Sequence, residues 1–386
     1  MKGVSMKRLS VVIACFNQTR ELELTLLSFL RQTLPHEQYE LIVVDDHSPD
    51  HSAREAVAGM RRRFPRATVL YARQHRTDGG QYGASAGVKN VGLRLARGEY
   101  VFFNNSEITQ AGESLTHILA RMDASDRPLC LRGRVIDLPY EELSGLDQAE
   151  LDALHDRTDR ARERVATADH AGLAAVRRSI LLAVGGNDER FDYWGKEDLD
   201  LAARLKRVGV TYVYDEDLKS FHIHHPPNHV KQGDYQRMCR LLEESNREER
   251  VEANPGLLWG QLQPPPAAEL DGTVVVMAGE GLAATLEELV FSPGGERREV
   301  IVACLDGDRP GVEALVEARF RPLRWISLAP ESPESAVDRV LRSVRTERVT
   351  ALPAGAGLAD LRWAGWRESA EALVAWLAPE LAEARP

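Results

Sequence analysis

The stretch Leu9-Ser10-Val11-Val12-Ile13-Ala14-Cys15-Phe16 is short, nearly all apolar and rich in β-branched residues. Such a run is typical of a parallel strand that is covered on both faces. Leu22, Leu26 and Leu30 then recur at helical spacing, and a second apolar run occupies residues 40–44. The pattern goes on alternating, with helices predicted at 52–63 and 84–96 and strands at 68–71 and 100–103. This alternation predicts an α/β domain built on a Rossmann-like, mostly parallel sheet.

Charge and cysteine content exclude several classes of protein. The 386 residues include 49 Lys and Arg against 59 Asp and Glu, a net charge of -10. A nucleic-acid-binding or polybasic membrane-binding surface would need an excess of basic residues. The 4 cysteines are widely spaced, which argues against a disulfide framework or a cysteine zinc site and favours a reducing cytoplasm. No apolar run reaches the ~18 residues of a membrane-spanning helix, so we expect a soluble protein.

The length suggests two domains, and the composition locates the boundary between them. Residues 261–271 contain three consecutive prolines and are predicted to form an extended linker. Residues 1–260 form the first predicted domain, with the charged stretch 141–169 inserted as exposed helix. Residues 272–386 are predicted to form a smaller α/β domain of unknown role. It is either a degenerate half-repeat of the first domain or an unrelated βαβ unit, and we expect any homo-oligomer contact to involve it.

Polar groups follow two of the predicted strands. Ligands of open α/β sheets bind outside the carboxyl ends of the strands. The Asp45-Asp46 pair follows the second strand, where a carboxylate can accept a hydrogen bond from a nucleobase or a ribose, or can cap the next helix. Asn105-Ser106-Glu107 follows the fourth strand, and Glu107 could bind a divalent cation together with substrate phosphates. The alternative for this second group is a polar turn.

The third group is the run Tyr193-Trp194-Gly195-Lys196-Glu197-Asp198. Aromatic residues and a glycine turn lead into a helix start that carries two acids, where the helix dipole favours negative charge. A carboxylate fixed there can act as a general base toward a bound hydroxyl group. The alternative is an ordinary acidic first turn.

In this order and spacing, the three groups resemble the family-2 glycosyltransferases of the GT-A fold, over roughly residues 8–230. The Asp45-Asp46 pair resembles the nucleotide-binding turn of that family. Lys89-Asn90-Val91-Gly92 resembles its basic-Asn-x-Gly helix. The run at 193–198 resembles the acceptor-side motif, and is also similar to the motif of β-1,4-galactosyltransferases and chondroitin-polymerase-type enzymes.

The resemblance implies an inverting transfer of a sugar from a nucleotide-diphosphate sugar, with UDP-sugars favoured, to an unidentified acceptor. It assigns donor binding to Phe16, Asn17, Asp45, Asp46, Lys89, Asn90 and Asn105. It makes Asp198 the general base beside Glu197, and it gives contact with substrate to Tyr193, Trp194 and Gly195. Processive members of the family carry a Gln-x-x-Arg-Trp run and membrane helices, which this sequence lacks, so we expect transfer of a single sugar.

The metal site departs from the family pattern. Asn105-Ser106-Glu107 stands where the family has Asp-x-Asp, so the first position loses its charge and the second keeps it on a longer arm. His222 and His225 resemble the family's His-x-x-His-Pro motif, and either of them could complete a Mn²⁺ or Mg²⁺ site with Glu107. The alternatives are solvated histidines, a catalytic zinc site, or a metal-independent site in which Lys89 or Arg76 steadies the diphosphate.

Two other functions remain open on the sequence alone. The Asn105 substitution is compatible with a catalytically inactive protein that binds nucleotide sugars or acts as a scaffold. A sugar nucleotidyltransferase would share the α/β architecture. It would also need a glycine-rich, basic phosphate loop near the first strand, and residues 17–20 are not such a loop.

Overall fold

A computed structural model shows two compact units, Met1–Gln261 and Leu262–Pro386, and each is described on its own. The structure describes residues 7–48, 52–74, 85–158, 172–193, 195–225, 232–256, 259–260, 270–291, 297–305, 308–319, 324–328, 337, 340, 342–344, 346, 348–357, 361 and 374–375. The predicted linker prolines, Arg76, Trp194 and the tryptophans near the C-terminus lie outside these residues.

The first unit contains eight strands and nine helices within the described residues. The strands are β1 (Leu9–Cys15), β2 (Tyr39–Asp45), β3 (Thr68–Arg73), β4 (Tyr100–Asn105), β5 (Ile108–Gln110), β6 (Leu129–Leu138), β7 (Ala174–Arg177) and β8 (Thr211–Ile223). The helices are α1 (Thr19–Leu30), α2 (Ser52–Arg63), α3 (Ser85–Leu95), α4 (Ser114–Asp123), α5 (Tyr140–Leu143), α6 (Gln148–Arg157), α7 (Arg178–Ala183), α8 (Glu197–Arg207) and α9 (Gln232–Arg247).

These strands form one sheet in the order β3-β2-β1-β4-β7-β6-β8-β5. The first four are parallel, as the alternating pattern predicts. Beyond β4 the sheet is mixed, because β7 runs antiparallel to both β4 and β6 and β5 runs antiparallel to β8. The prediction of a mostly parallel α/β sheet is therefore confirmed for the N-terminal half, while the second half is mixed.

The sheet is covered on both faces, which explains why β1 and β2 are almost entirely apolar. Odd-numbered residues of β1 pack in a cluster with Leu22, Leu26 and Phe29 of α1 and with residues of α2 and α4. On the other face α3 packs so closely that a Cβ at Gly92 would lie 2.2 Å from Val12. Burial of both faces removes any polar alternation from these strands.

The inserted segment differs from its prediction as an exposed helix. Its described part contains α5 and α6, and α6 begins with a capping box in which Asp147 accepts from the Glu150 amide. Leu151 and His155 of α6 are fully buried, and the His155 ring meets Phe221 of β8 edge to face. The scattered leucines of this polar stretch, such as Leu151, therefore form a buried face that its overall composition does not indicate.

The second unit contains a smaller, all-parallel sheet. Its described strands are β9 (Gly272–Met277), β10 (Arg298–Leu305), β11 (Arg324–Leu328) and β12 (Val349–Pro353), and its described helices are α10 (Leu282–Phe291) and α11 (Arg309–Arg319). The strand order β11-β10-β9-β12 repeats the order β3-β2-β1-β4 of the first unit.

A buried side-chain pair also recurs in the two units. Ser10 lies opposite Glu40 and donates to its carboxylate at 2.7 Å. Thr273 lies opposite Glu299 and donates in the same way at 2.6 Å. The shared strand order and this shared pair support the half-repeat prediction.

The sequence predicts neither a disulfide framework nor a membrane-spanning helix. All four cysteines are free. Among the described residues, no helix has the length and hydropathy of a membrane span.

Candidate active site

The predicted site residues gather at the carboxyl end of β1. In the sheet register, Cys15 lies opposite Asp45 of β2, and Ala14 lies opposite Asn105 of β4. Burial and the charge of Asp45 raise the pKa of the Cys15 thiol to about 12, and Glu107 adds to this shift. The acidic turn and the Asn105-Ser106-Glu107 turn therefore flank one strand end, where the strand order reverses and open α/β sheets bind ligands.

Asp45 anchors the turn that follows β2. Its Oδ1 accepts from the Ser48 amide at 3.0 Å and from the Ser48 hydroxyl at 2.6 Å, and its Oδ2 accepts from the Tyr71 hydroxyl at 3.0 Å. The residue is fully buried, and Asp46 beside it is nearly so. Direct contact of either acid with a nucleotide stays a prediction, because in this conformation Asp45 serves the turn itself.

Phe16 and Asn17 form the turn after β1. Asn17 is exposed and Phe16 half-buried. Asn17 has a φ of 52°, a left-handed conformation that asparagine tolerates better than most residues. Its amide donates to the Ser48 hydroxyl at 3.0 Å, which ties the β1 turn to the β2 turn. Both residues lie where a ligand at the strand ends would meet them.

Glu107, His222 and His225 come together, as the sequence predicts for a metal site. One ligand atom from each lies within 4.8 Å of the others. Donors on opposite sides of one ion are about 4.4 Å apart, so these side chains fit a cation after small rotations. Strand pairing causes the approach, because Ile108, next to Glu107, lies opposite His222 in the β5–β8 ladder.

Asn105 does not have the orientation of the missing Asp ligand. Its side-chain amide donates to Glu107 Oε1 at 3.0 Å. The Ser106 hydroxyl donates to Gln18 at 2.6 Å and lies 3.3 Å from Glu107 Oε2. The residue predicted to bind the donor or a metal therefore steadies the carboxylate of Glu107.

The acidic pair lies at the start of α8. Gly195 and Lys196 both have positive φ, 98° and 78°, so two successive left-handed residues turn the chain into the helix. A Cβ at Gly195 would lie 3.2 Å from the Tyr235 ring. Glycine at this position is thus a requirement of the turn, and its predicted contact with substrate would have to be made by its backbone.

Glu197 and Asp198 have different surroundings. Glu197 is buried and accepts from the Ser85 hydroxyl at 2.5 Å. Burial and the neighbouring Asp198 charge raise the pKa of Glu197. Asp198 keeps 14% of its side chain exposed and binds the Lys89 ammonium at 2.7 Å. Of the two acids, only Asp198 combines an ionic partner with access to solvent.

Lys89 links the acidic residues. Burial alone lowers its pKa, but the charges of Asp198, Glu197 and Glu107 outweigh burial and raise it. The charges of Asp198 and Glu107 both act on the pKa of this buried ammonium. Lys89 therefore lies within electrostatic range of the base candidate and of the metal candidate. Lys89 thus connects the two parts of the predicted site, through a direct ion pair with Asp198 and a longer-range interaction with Glu107.

Asn90, predicted to bind the donor, uses its side chain to connect two segments of the protein. Its side chain donates to the Asn187 carbonyl at 2.8 Å and to the Glu189 carboxylate at 2.9 Å, and it accepts from the Asn187 amide at 2.7 Å. It has no exposed surface. This corrects the donor-binding prediction, because both polar atoms of the side chain join α3 to the 187–189 loop.

Tyr193 also differs from its prediction. Its ring is buried with Ala86, Phe191 and Met238 in the cluster between α3 and α9. This burial disagrees with the prediction that Tyr193 contacts the substrate. Trp194, predicted to do the same, lies outside the described residues.

Three contributors were missed by sequence reasoning. Ser85 binds Glu197, and Asp137 Oδ1 lies 2.7 Å from His222 Nδ1. Arg132 of β6 is buried, which lowers its pKa, while the charge of Asp198 acts against that shift. The charged residues within the apolar strand 129–138 were the available signal for Arg132 and Asp137.

Comparison with protein families matches the N-terminal part of the chain. The family described as "Glycosyl transferase family 2" matches residues 10–185, from β1 to the end of α7. The matched segment contains the Asp45, Lys89 and Glu107 positions and ends before the acceptor-side run at 193–198.

Two curated proteins and a solved structure are similar to this chain. The poly(ribitol-phosphate) beta-N-acetylglucosaminyltransferase TarP of Staphylococcus aureus is 33% identical over 102 residues, 26% of this chain and 29% of that protein. The poly(ribitol-phosphate) beta-glucosyltransferase of Bacillus spizizenii is 30% identical over 108 residues, 28% of this chain and 16% of that protein. The crystal structure of Staphylococcus aureus TarS is similar with a TM-score of 0.45 and 18% identity, over 62% of this chain and 39% of that one. The chain thus spans under a third of the two curated relatives.

Proposed function

We propose that this chain is a glycosyltransferase that moves one sugar from a nucleotide-diphosphate sugar to an acceptor hydroxyl with inversion, on the match of its residues 10–185 to glycosyl transferase family 2. One observation carries the proposal. Lys89 forms an ion pair with Asp198 and also lies within the electrostatic influence of Glu107, which supports a single site for the base and metal candidates.

Asp198 is the general base of the proposed reaction. Its carboxylate takes the proton of the acceptor hydroxyl as that oxygen attacks the anomeric carbon, and the bond from that carbon to the diphosphate breaks. The nucleoside diphosphate leaves with the electron pair. Direct displacement inverts the anomeric centre, and it needs one base on the acceptor side. Glu197 is less suited to this role, because burial and its bond to Ser85 hold it inside the protein.

Glu107, His222 and His225 are the residues that would hold a divalent cation. When bound, such an ion supplies Lewis-acid stabilisation of the diphosphate leaving group. The donor set favours Mn²⁺ over Mg²⁺, because imidazole is a poor ligand for Mg²⁺, which prefers oxygen. Zn²⁺ suits the same ligands and remains the alternative.

The donor is proposed to be a UDP-sugar, on the sequence resemblance. The two curated relatives are named for transfer of N-acetylglucosamine and glucose, which supports a hexose or N-acetylhexosamine. Their matched segments cover about a quarter of this chain. The proposal leaves the acceptor unassigned.

The test is a thermal-unfolding panel on the full chain with nucleoside diphosphates and their sugars, each with and without Mn²⁺. A ligand at 100 times its Kd adds about 2.7 kcal/mol of stability, which the method resolves easily. We expect one UDP-sugar to stabilise the protein in the presence of Mn²⁺ and to be slowly hydrolysed or transferred. Stabilisation without any turnover would identify a nucleotide-sugar-binding protein, and no stabilisation would overturn the donor proposal.

A further inference from the structure

We propose that Asp137 is the positioning residue for the metal ligand His222. Its Oδ1 lies 2.7 Å from His222 Nδ1. The inference rests on the cation site proposed above and adds a residue that neither the sequence resemblance nor the family match assigns.

Strand pairing holds the two side chains together. Asp137 and His222 are directly opposite in the parallel β6–β8 ladder. Residues opposite each other in a ladder project from the same face of the sheet. The contact is therefore built into two strands of the scaffold, which fix it more firmly than a surface loop could.

A register shift places Asp137 on this face. Leu129 and Leu131 of β6 belong to the core cluster under α1 and α4, whereas Ile136 and Leu138 belong to the cluster under α6. The inward positions thus change from odd to even, and the shift lies between Gly133 and Arg134. Without it, residue 137 would point into the core.

Gly133 makes the shift possible. A Cβ at this position would lie 1.9 Å from the Leu218 carbonyl oxygen, where β8 carries residues without a partner on β6. Only glycine allows so close an approach of two backbones. The register shift at Gly133 therefore turns Asp137 toward His222.

Asp137 acts through His222 and not as a ligand. Among the described residues, the group with donor atoms within 4.8 Å of one another comprises Glu107, His222 and His225 and does not include Asp137. The Nδ1–Oδ1 contact is close but is not aligned as a hydrogen bond in this conformation. In the proposed arrangement a rotation of the His222 ring lets Nδ1 donate its proton to Asp137 and leaves Nε2 for the cation. A carboxylate in this position fixes the tautomer and the ring orientation and makes the imidazole a stronger ligand.

The degree of burial fits this role. His222 keeps 7% of its side chain exposed and Asp137 keeps 40%. The histidine is thus enclosed in the site while the carboxylate stands at its rim. Replacing the rim residue should leave the metal-free fold intact, because substitutions of partly exposed side chains outside the apolar core change stability little.

The test measures Mn²⁺ binding to the full chain without nucleotide, by titration calorimetry and by the loss of the free-Mn²⁺ electron paramagnetic resonance signal. The variants are Asp137→Ala, Asp137→Asn and His222→Ala. Asp152→Ala is the matched control, because Asp152 is a similarly exposed acid that also pairs with a residue of β8, but with Lys219 rather than with His222. Thermal unfolding without metal checks the fold of each variant.

We expect Asp137→Ala to weaken Mn²⁺ binding about 10- to 100-fold. Asp137→Asn keeps an oxygen that accepts the Nδ1 proton, so it should stay within about threefold of the wild type. Wild-type affinity in Asp137→Ala, with binding lost in His222→Ala, would overturn the positioning role and leave the cation site standing. No Mn²⁺ binding by the wild type would overturn both, and donor turnover without metal would show that the transferase proposal survives them.

Discussion

The Lys89 ammonium lies 2.7 Å from the Asp198 carboxylate, and the lysine side chain is only 3% exposed. A buried cation of this kind is stable only with its partner, because burial of an unpaired charge is costly. The pair also joins α3 to the first turn of α8 and so holds the Asp198 carboxylate in place. Lys89, predicted to bind the donor, is engaged with the proposed base in this conformation.

The first prediction concerns this ion pair. Lys89→Met should lower the free energy of unfolding by about 3 kcal/mol, because it leaves the Asp198 carboxylate without its partner. Adding Asp198→Asn should recover much of the loss, since both charges are then gone. Denaturant unfolding of the two single variants and the double variant measures the coupling. Lys219→Met is the control, and it should cost under about 1 kcal/mol because its partners Asp152 and Asp156 are exposed. If the double variant loses as much unfolding free energy as the two single variants lose together, the two side chains are not coupled and the pairing is contradicted.

The second prediction concerns the proposed base. Asp198→Asn should lower kcat about 10²- to 10⁴-fold, because an amide cannot take the acceptor proton. Donor affinity should change little, since the base acts on the acceptor. Steady-state kinetics and donor titration separate the two effects. The control is Asp192→Asn at an exposed ion pair with Arg237 in the same region. Turnover above a tenth of the wild-type rate in Asp198→Asn would assign the base elsewhere.

The third prediction concerns metal removal. Chelation should abolish most turnover, and Mn²⁺ should restore it better than Mg²⁺ because two imidazoles are among the ligands. Glu107→Gln and His225→Ala should each raise the Mn²⁺ concentration needed for half-maximal activity at least about 10-fold. His224→Ala is the matched control, since this exposed neighbour does not belong to the triad. Full activity after chelation would favour the metal-independent alternative.

The fourth prediction distinguishes a structural role of Asn90 from a role in donor binding. Asn90→Ala should lower the free energy of unfolding by about 2 kcal/mol, because the buried Asn187 amide loses its acceptor, while the Asn187 carbonyl and the Glu189 carboxylate each keep a second donor. At a temperature where the variant is folded, its KM for the donor should match that of the wild type. Asn246→Ala, which removes an exposed contact with Arg207, provides the control. A raised KM with unchanged stability would restore the donor-binding role.

The metal cluster could be predicted from sequence for a local reason. Glu107 directly follows β4, and His222 and His225 lie at the end of β8, so short motifs at strand ends carried the information. Asp137 could not be found in this way. Its orientation depends on the shift at Gly133, which is set by pairing with residues more than eighty positions later in the chain.

Tyr193 and Asn90 show what a local motif cannot predict. Tyr193 and Asn90 stand in motifs that resemble a substrate-binding pattern, but a motif does not determine which way a side chain points. Packing of α3 against α9 buries the Tyr193 ring, and the 187–189 loop occupies both polar atoms of Asn90. These outcomes arise from contacts between distant segments, which local spacing does not encode.

The last prediction concerns acid stability. Burial lowers the pKa of His155 to about 4, with a further contribution from the Arg134 charge. An unfolded histidine has a pKa near 6.5, so between these values the unfolded chain binds a proton that the folded chain does not. Stability is therefore complete above about pH 6.5 and falls as the pH drops toward 4.

From pH 7 to pH 5, this one group should lower the free energy of unfolding by about 2 kcal/mol. Denaturant unfolding of the wild type and His155→Leu across that range measures the difference, which cancels the other histidines. In His155→Leu, the unfolding free energy should fall less steeply between pH 7 and pH 5 than in the wild type. His224→Gln, at an exposed position, should keep the wild-type dependence. Equal slopes in the wild type and His155→Leu would mean that the ring is not held neutral against Phe221, and that α6 is packed less tightly than the structure shows.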